Sequence, residues 1–151
     1  MRSKKLLRYV FICIISFFIV FKVSQFNTYA LTVSSNWTLT QDEMIEENLS
    51  LTGGTLNLNG YTLTVKGDFF HTSGILILNG GQVIVEGNYS QGNSPGKLYL
   101  SNDADHFLVM GNAHFNLENI LTHGTFEFKG NFSQQRNTYY QSSFSNTYAP
   151  S

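Results

Sequence analysis

The chain is poor in cysteine, in charge and in helical periodicity, and each shortage narrows what it can be. Its one cysteine, Cys13, lies in an apolar run near the N-terminus. If that run is removed on export, as argued below, the remainder has no disulfide, no thiol nucleophile and no thiolate metal site. Exported domains of this size often rely on disulfides, so stability has to come from elsewhere, and stacked backbone ladders can supply it. Only 13% of the residues are charged. Beyond residue 30 the only basic side chains are Lys66, Lys97, Lys129 and Arg136. They stand against ten acids, for a net charge of −6. A nucleic-acid partner needs clustered Lys and Arg on one surface, which this balance excludes. No segment past residue 30 sustains a period of 3.6. The nearest candidate, Gln41 to Asn48, reads as a loop or cap between strand-like pieces.

What the chain does have is a repeat. The segment from Gly54 to Phe69 lies over the segment from Gly74 to Tyr89 at a spacing of twenty residues. Gly54 matches Gly74, Gly60 matches Gly80, Gly67 matches Gly87, and the Asn-Gly pair 59–60 returns at 79–80. Leu56 and Leu58 match Leu76 and Leu78, and Leu63 and Val65 match Val83 and Val85. Gly67, Gly87, Gly111 and Gly130 each close an apolar strand and precede Asp or Asn, at steps of 20, 24 and 19. The longest step contains an inserted corner loop, Ser101 to Asp105. Phe107 and Val109, then Phe126 and Phe128, take the places of Leu63 and Val65. A degenerate turn, from Trp37 and Leu39 to Leu49 and Leu51, precedes the four recognisable ones.

Each turn supplies two short alternating segments of strand length. Alternation sets Leu56, Leu58, Leu63 and Val65 on one side and Asn57, Thr62, Thr64 and Lys66 on the other. Gly60, Gly67 and Gly74 fall where the chain changes direction, and each is expected to use a positive φ. Asn-Gly between strands is also a hairpin signal, so an antiparallel meander is the competing fold. A meander has no need of equivalent residues every twenty positions, whereas a coil of parallel strands does, because residue i stacks on residue i+20. The expected fold class is therefore all-β, a parallel β-helix (β-solenoid) of about five turns over residues 31–136.

Residues 1–30 read as a signal peptide. Arg2, Lys4, Lys5 and Arg8 form a basic start, the thirteen residues from Tyr9 to Phe21 are apolar apart from Ser16, and Thr28-Tyr29-Ala30 suits cleavage after Ala30. The run falls short of the ~20 apolar residues of a membrane span, so no stable span is expected after cleavage. Residues 137–151 carry neither a strand pair nor a glycine corner and read as an irregular tail. They hold no sorting motif and no hydrophobic anchor. The expected location is extracellular, secreted or at the cell surface.

The strings 58–69, 96–112 and 121–134 resemble the repeats of large exported bacterial surface proteins. That resemblance covers roughly residues 49–134 and implies a parallel β-helix like that of filamentous-haemagglutinin-type adhesins. It brings no catalytic residues with it. Family members continue into further repeats where this chain stops after Arg136, so a truncated remnant without activity of its own stays open.

Candidate sites are few. His71, His106, His114 and His123 show no metal-type spacing. His71 and His123, just outside glycine corners, are expected to face solvent. Asn102, Asp103 and Asp105 could place oxygens around calcium, but turn chemistry alone favours Asn and Asp there. Lys66, Glu86, Met110 and Lys129 occupy equivalent places on successive turns and read as a row with a stacked ion pair. Asp42, Glu43, Glu46 and Glu47 read as a solvated cap. No residue is nominated as catalytic, cofactor-binding or metal-ligating. Ile75, Ile77, Ile84, Tyr61 and Tyr99 are expected to point outward, as apolar patches suited to glycans or another surface protein. Four sequons (at Asn36, Asn48, Asn88 and Asn131) are of the kind an Asn/Ser/Thr-rich chain produces by chance. An uncovered last turn around Phe126 and Phe128 would favour end-to-end self-association. The function expected is that of structural or adhesive surface material, not of an enzyme. A carbohydrate-binding or carbohydrate-cleaving β-helix is the alternative.

Overall fold

A computed structural model describes residues 29–92, 96–116 and 119–134. Among these residues fourteen strands coil as a β-solenoid of about five turns. The first face holds β1 (Leu31–Val33), the first part of β4 (Leu49–Asn57) and of β6 (Phe69–Ile77), β8 (Tyr89–Gln91), β11 (Ala113–Phe115) and β14 (Phe132–Gln134). The second holds β2 (Trp37–Thr38), the later parts of β4 and β6, β9 (Lys97–Leu100) and β12 (Ile120–Leu121). On the third lie β3 (Glu43–Ile45), β5 (Thr62–Val65), β7 (Gln82–Val85), β10 (His106–Val109) and β13 (Thr125–Phe128). Every pairing is parallel, and Leu56 meets Leu76 and Val65 meets Val85 across one turn. The hairpin alternative is thereby excluded. No helix of the described residues is long and apolar enough to cross a membrane.

The core is a set of columns parallel to the coil axis. Leu56, Leu76 and Leu98 form one, Leu63, Val83, Phe107 and Phe126 another, and Ile45, Val65, Val85, Val109 and Phe128 a third. Most of these side chains are fully buried; Phe126 and Phe128 at the last turn are half-buried. Three sequence expectations need correction. Gly60 and Gly74 do use the left-handed region, at φ 86° and 82°, but Gly67 does not. A Cβ on Gly67 would come 2.3 Å from Asn48 Oδ1, so that glycine is required by the closeness of the preceding turn. The segment 41–48 contains a strand, β3, in register with β5. Tyr61 is half-buried and packs on the core rather than joining an outer patch.

A second ladder runs along one corner. Asn48, Asp68, Asn88 and Asn112 each place Oδ1 2.7–2.9 Å from the backbone N of the equivalent residue one turn on, accepting its N–H. Asn36 Oδ1 likewise accepts from Thr55 N, 2.9 Å away. Three of the four sequon asparagines, Asn36, Asn48 and Asn88, therefore serve the coil. The recurring Asn-x-Ser/Thr follows from a corner acceptor followed by an inward apolar and an outward hydroxyl. The signal peptide read over 1–30 and the tail over 137–151 lie outside the described residues, apart from Tyr29 and Ala30.

Candidate functional site: an outer apolar wall and a buried polar corner

Strand alternation on the second face sends Thr55, Ile75 and Lys97 outward in one column and Asn57, Ile77, Tyr99 and Ile120 in the next. Ile75, Ile77 and Tyr99 are half-buried by their neighbours, and Ile120 is exposed. Successive strands lie about 4.8 Å apart, so Ile77, Tyr99 and Ile120 form a straight apolar stripe across three turns. Ile84 belongs to the third face, beside Leu108 in the column of Thr64. The expected patch is thus divided, and only Ile75, Ile77 and Tyr99 are brought together.

Besides Ile84 and Leu108, the outward side of the third face carries charged pairs. Lys66 Nζ donates to Glu86 Oε1 at 2.5 Å, as the repeat register required, and that carboxylate holds the Lys66 pKa above its ordinary value. Solvent screens a pair this exposed, so it is a weak contributor to stability. Further along, Lys129 pairs with Glu127, which holds that carboxyl below its usual range, and His106 Nε2 lies 3.7 Å from the same Glu127.

Sequence reasoning missed the second site. On the first face the inward column Val33, Leu51 turns polar at His71 and Gln91. His71 is fully buried, contrary to the solvent-facing expectation, whereas His123 is exposed. The His71 ring is held at both nitrogens. Nε2 lies 3.1 Å from the Gly74 carbonyl and Nδ1 3.0 Å from the Tyr89 hydroxyl. A carbonyl only accepts, so Nε2 carries the proton and Tyr89 donates to Nδ1. Burial pushes the His71 pKa down to about 4, and burial pushes the Tyr89 phenol upward. Both groups are therefore neutral at ordinary pH, and each completes the other's hydrogen bonding.

Gln91 continues the cluster. Its Nε2 donates to the Gly96 carbonyl at 2.7 Å and to Asn119 Oδ1 at 2.8 Å. Its Oε1 accepts from Asn116 N at 2.9 Å and Asn119 Nδ2 at 3.0 Å. This network joins the corners of two successive turns. The twenty-residue step from Leu51 to His71 to Gln91 was the available signal.

Asp105 is buried, and its carboxylate accepts N–H groups from Gly80 (2.6 Å), Ser101 (2.7 Å) and Asn102 (2.9 Å). It closes the inserted loop onto the turn before it. Asp103 is exposed, so the loop does not gather its carboxylates around one point. Among the described residues no three His, Cys, Asp or Glu side chains are placed to hold a metal ion. The chain matches no family model, no curated protein and no solved structure at a significant level. The fold itself is compatible with a β-helix repeat protein.

Proposed function

We propose that this is an exported, non-enzymatic β-solenoid serving as structural or adhesive cell-surface material of bacterial origin. The observation that carries the reading is the stripe Ile77, Tyr99 and Ile120, with Ile75 beside it, on a wall stiffened by a column core. An apolar, aromatic-bearing stripe on a rigid support suits the flat face of a glycan. Support also comes from where the reactive side chains are spent. His71 and Asp105 are tied into backbone and core, and Lys66 and Glu86 neutralise each other on a different face. The resemblance of 58–69 and 96–112 to exported repeats supplies the location.

The test is glycan-array binding by the secreted protein, with Tyr99→Ser and Ile77→Ser beside it. Binding that both substitutions weaken at least tenfold, with no sugar released, is the expected outcome. Release of product would favour the carbohydrate-cleaving alternative. Unchanged binding in both variants would remove the wall from the reading. Capture of a surface protein but no glycan would keep the wall and replace the partner.

A further inference from the structure

The two Asn-Gly pairs, 59–60 and 79–80, stand at equivalent corners of successive turns. Both adopt one conformation, with φ 52° and 86° at Asn59 and Gly60 and 50° and 84° at Asn79 and Gly80. Tyr61 N donates to Leu58 O and Gly81 N to Leu78 O, each at 2.9 Å, so both are closed type I′ turns. The two corners differ at the central peptide group. Gly80 N donates to Oδ1 of the buried Asp105 at 2.6 Å. At 59–60, neither the Gly60 N–H nor the Asn59 carbonyl has a hydrogen-bond partner among the described residues. Asn59 and Gly60 are both exposed.

An Asn-Gly pair can consume its own side chain. The glycine nitrogen, having given its proton to hydroxide, bonds to the asparagine Cγ. The Cγ–Nδ2 bond breaks, and that nitrogen takes a proton from water and leaves as ammonia. Water then opens the five-membered imide at either carbonyl, leaving an aspartyl or a β-linked isoaspartyl residue. Two things must happen first: the peptide group has to rotate until the glycine nitrogen faces Cγ, and the N–H has to be lost. Glycine follows the rotation at either sign of φ. At 79–80 the Asp105 carboxylate opposes both. Rotation breaks a charge-assisted hydrogen bond, and a negative charge beside the nitrogen disfavours loss of its proton. At 59–60 neither obstacle stands, and Asn59 Nδ2, the leaving nitrogen, has only a long 3.5 Å approach to Leu39 O.

We propose that Asn59 is a site of spontaneous deamidation in the folded protein, and that Asp105 protects the equivalent Asn79. The reaction draws on water and hydroxide alone. Its product adds a negative charge two residues beyond Asn57, at the rim of the apolar wall. The isoaspartyl form also lengthens the main chain by one methylene inside the turn that Tyr61 N closes on Leu58 O. The inserted loop from Ser101 to Asp105 thus shields one of two otherwise like corners. The inference stands on the fold and not on the glycan reading, since its test measures no ligand.

The experiment ages the full chain in mildly alkaline buffer, folded and in urea, and follows both asparagines by peptide mapping with isoaspartyl detection. In the folded protein Asn59 should convert at least tenfold faster than Asn79. In urea the two should convert at like rates, because the reacting pair is the same and Asp105 no longer reaches Gly80. Asp105→Ala should raise Asn79 toward the rate of Asn59. If that variant fails to fold, the parent's folded and urea rates decide alone. Equal rates in the folded parent, or an Asn59 preserved when folded yet converted in urea, overturn the proposal. The same ratio in urea as in the fold also overturns it, by assigning the difference to flanking sequence. So does a folded Asp105→Ala chain whose Asn79 stays as slow as in the parent.

Discussion

A residue in this coil is governed by its column more than by its chain neighbours. Leu76 sits between Leu56 and Leu98, with no exposure. Leu76→Ala should cost about 2–4 kcal/mol in urea unfolding, while Thr64→Ala on the outer side should stay within about 0.5 kcal/mol. Equal losses would mean that the alternation does not separate core from surface. His71 obeys the same rule with a different chemistry. Its imidazole titrates near 4 in the fold against 6.5 when unfolded, so between those values the unfolded chain binds the extra proton. Stability should be complete above about pH 7 and fall as the pH drops toward 4, by on the order of 3 kcal/mol. Below pH 4 this residue adds no further loss. The urea midpoint measured from pH 7.5 to 4 checks the slope, and His71→Leu/Tyr89→Phe should flatten it. A parent with no slope in that window would refute the assignment. The leucine columns were legible in the sequence because two copies repeat them almost unchanged. His71 was not, because its nearness to Gly74 suggested a turn while the column Leu51, His71, Gln91 placed it inside.

At the scale of the strand and corner, two kinds of glycine do different work. Gly60 has φ 86° with no atom nearer than 4.0 Å to a would-be Cβ, whereas a Cβ on Gly87 would lie 2.6 Å from the Gly67 carbonyl oxygen. Gly60→Ala should therefore cost about 1–2 kcal/mol of backbone strain, and Gly87→Ala should cost more because two turns must separate. Thermal midpoints of the two variants test the order, and the reverse order would contradict the close approach. Asn112 Oδ1 accepts the Asn131 N–H. Asn112→Ala should lose about 1 kcal/mol, and Asn112→Asp, which copies the acid at position 68, should lose much less. A variant pair with equal losses would make the ladder incidental. Element boundaries were only partly legible. The Asn-Gly pairs do adopt positive φ at both residues (52° and 86° at 59–60) as a hairpin turn would. Local chemistry thus could not separate hairpin from coil, and only the twenty-residue spacing did. β3 was hidden because Glu43 occupies an inward place and exposed Met44 an outward one, which inverts the pattern that marks a strand.

Across the whole molecule, each turn is held only by the turns before and after it, so stability is close to a sum of nearest-neighbour terms. β7 is flanked by β5 and β10 along all four of its residues, while β12 offers only a two-residue pairing to β9. Opening should therefore start at the ends, with the slowest hydrogen exchange at Val83 and Val85 and the fastest at Ile120 and Leu121. That gradient turns the wall into a measurable site, because the apolar stripe crosses from β6 through β9 to β12 and so spans firm and soft turns together. A glycan lying along it binds the closed coil and not the opened one. It should then slow exchange at β12 by RT ln(1 + [L]/Kd), about 2.7 kcal/mol at a hundredfold excess over Kd. The third-face strand β5, which contributes no residue to the stripe, should show no such change. Exchange measured on the protein with and without a saturating glycan decides it. Slowing confined to β5 and β7 would move the contact to the Lys66–Glu86 face, and slowing at β12 that Tyr99→Ser leaves intact would mean the ligand grips the end of the coil instead of its wall.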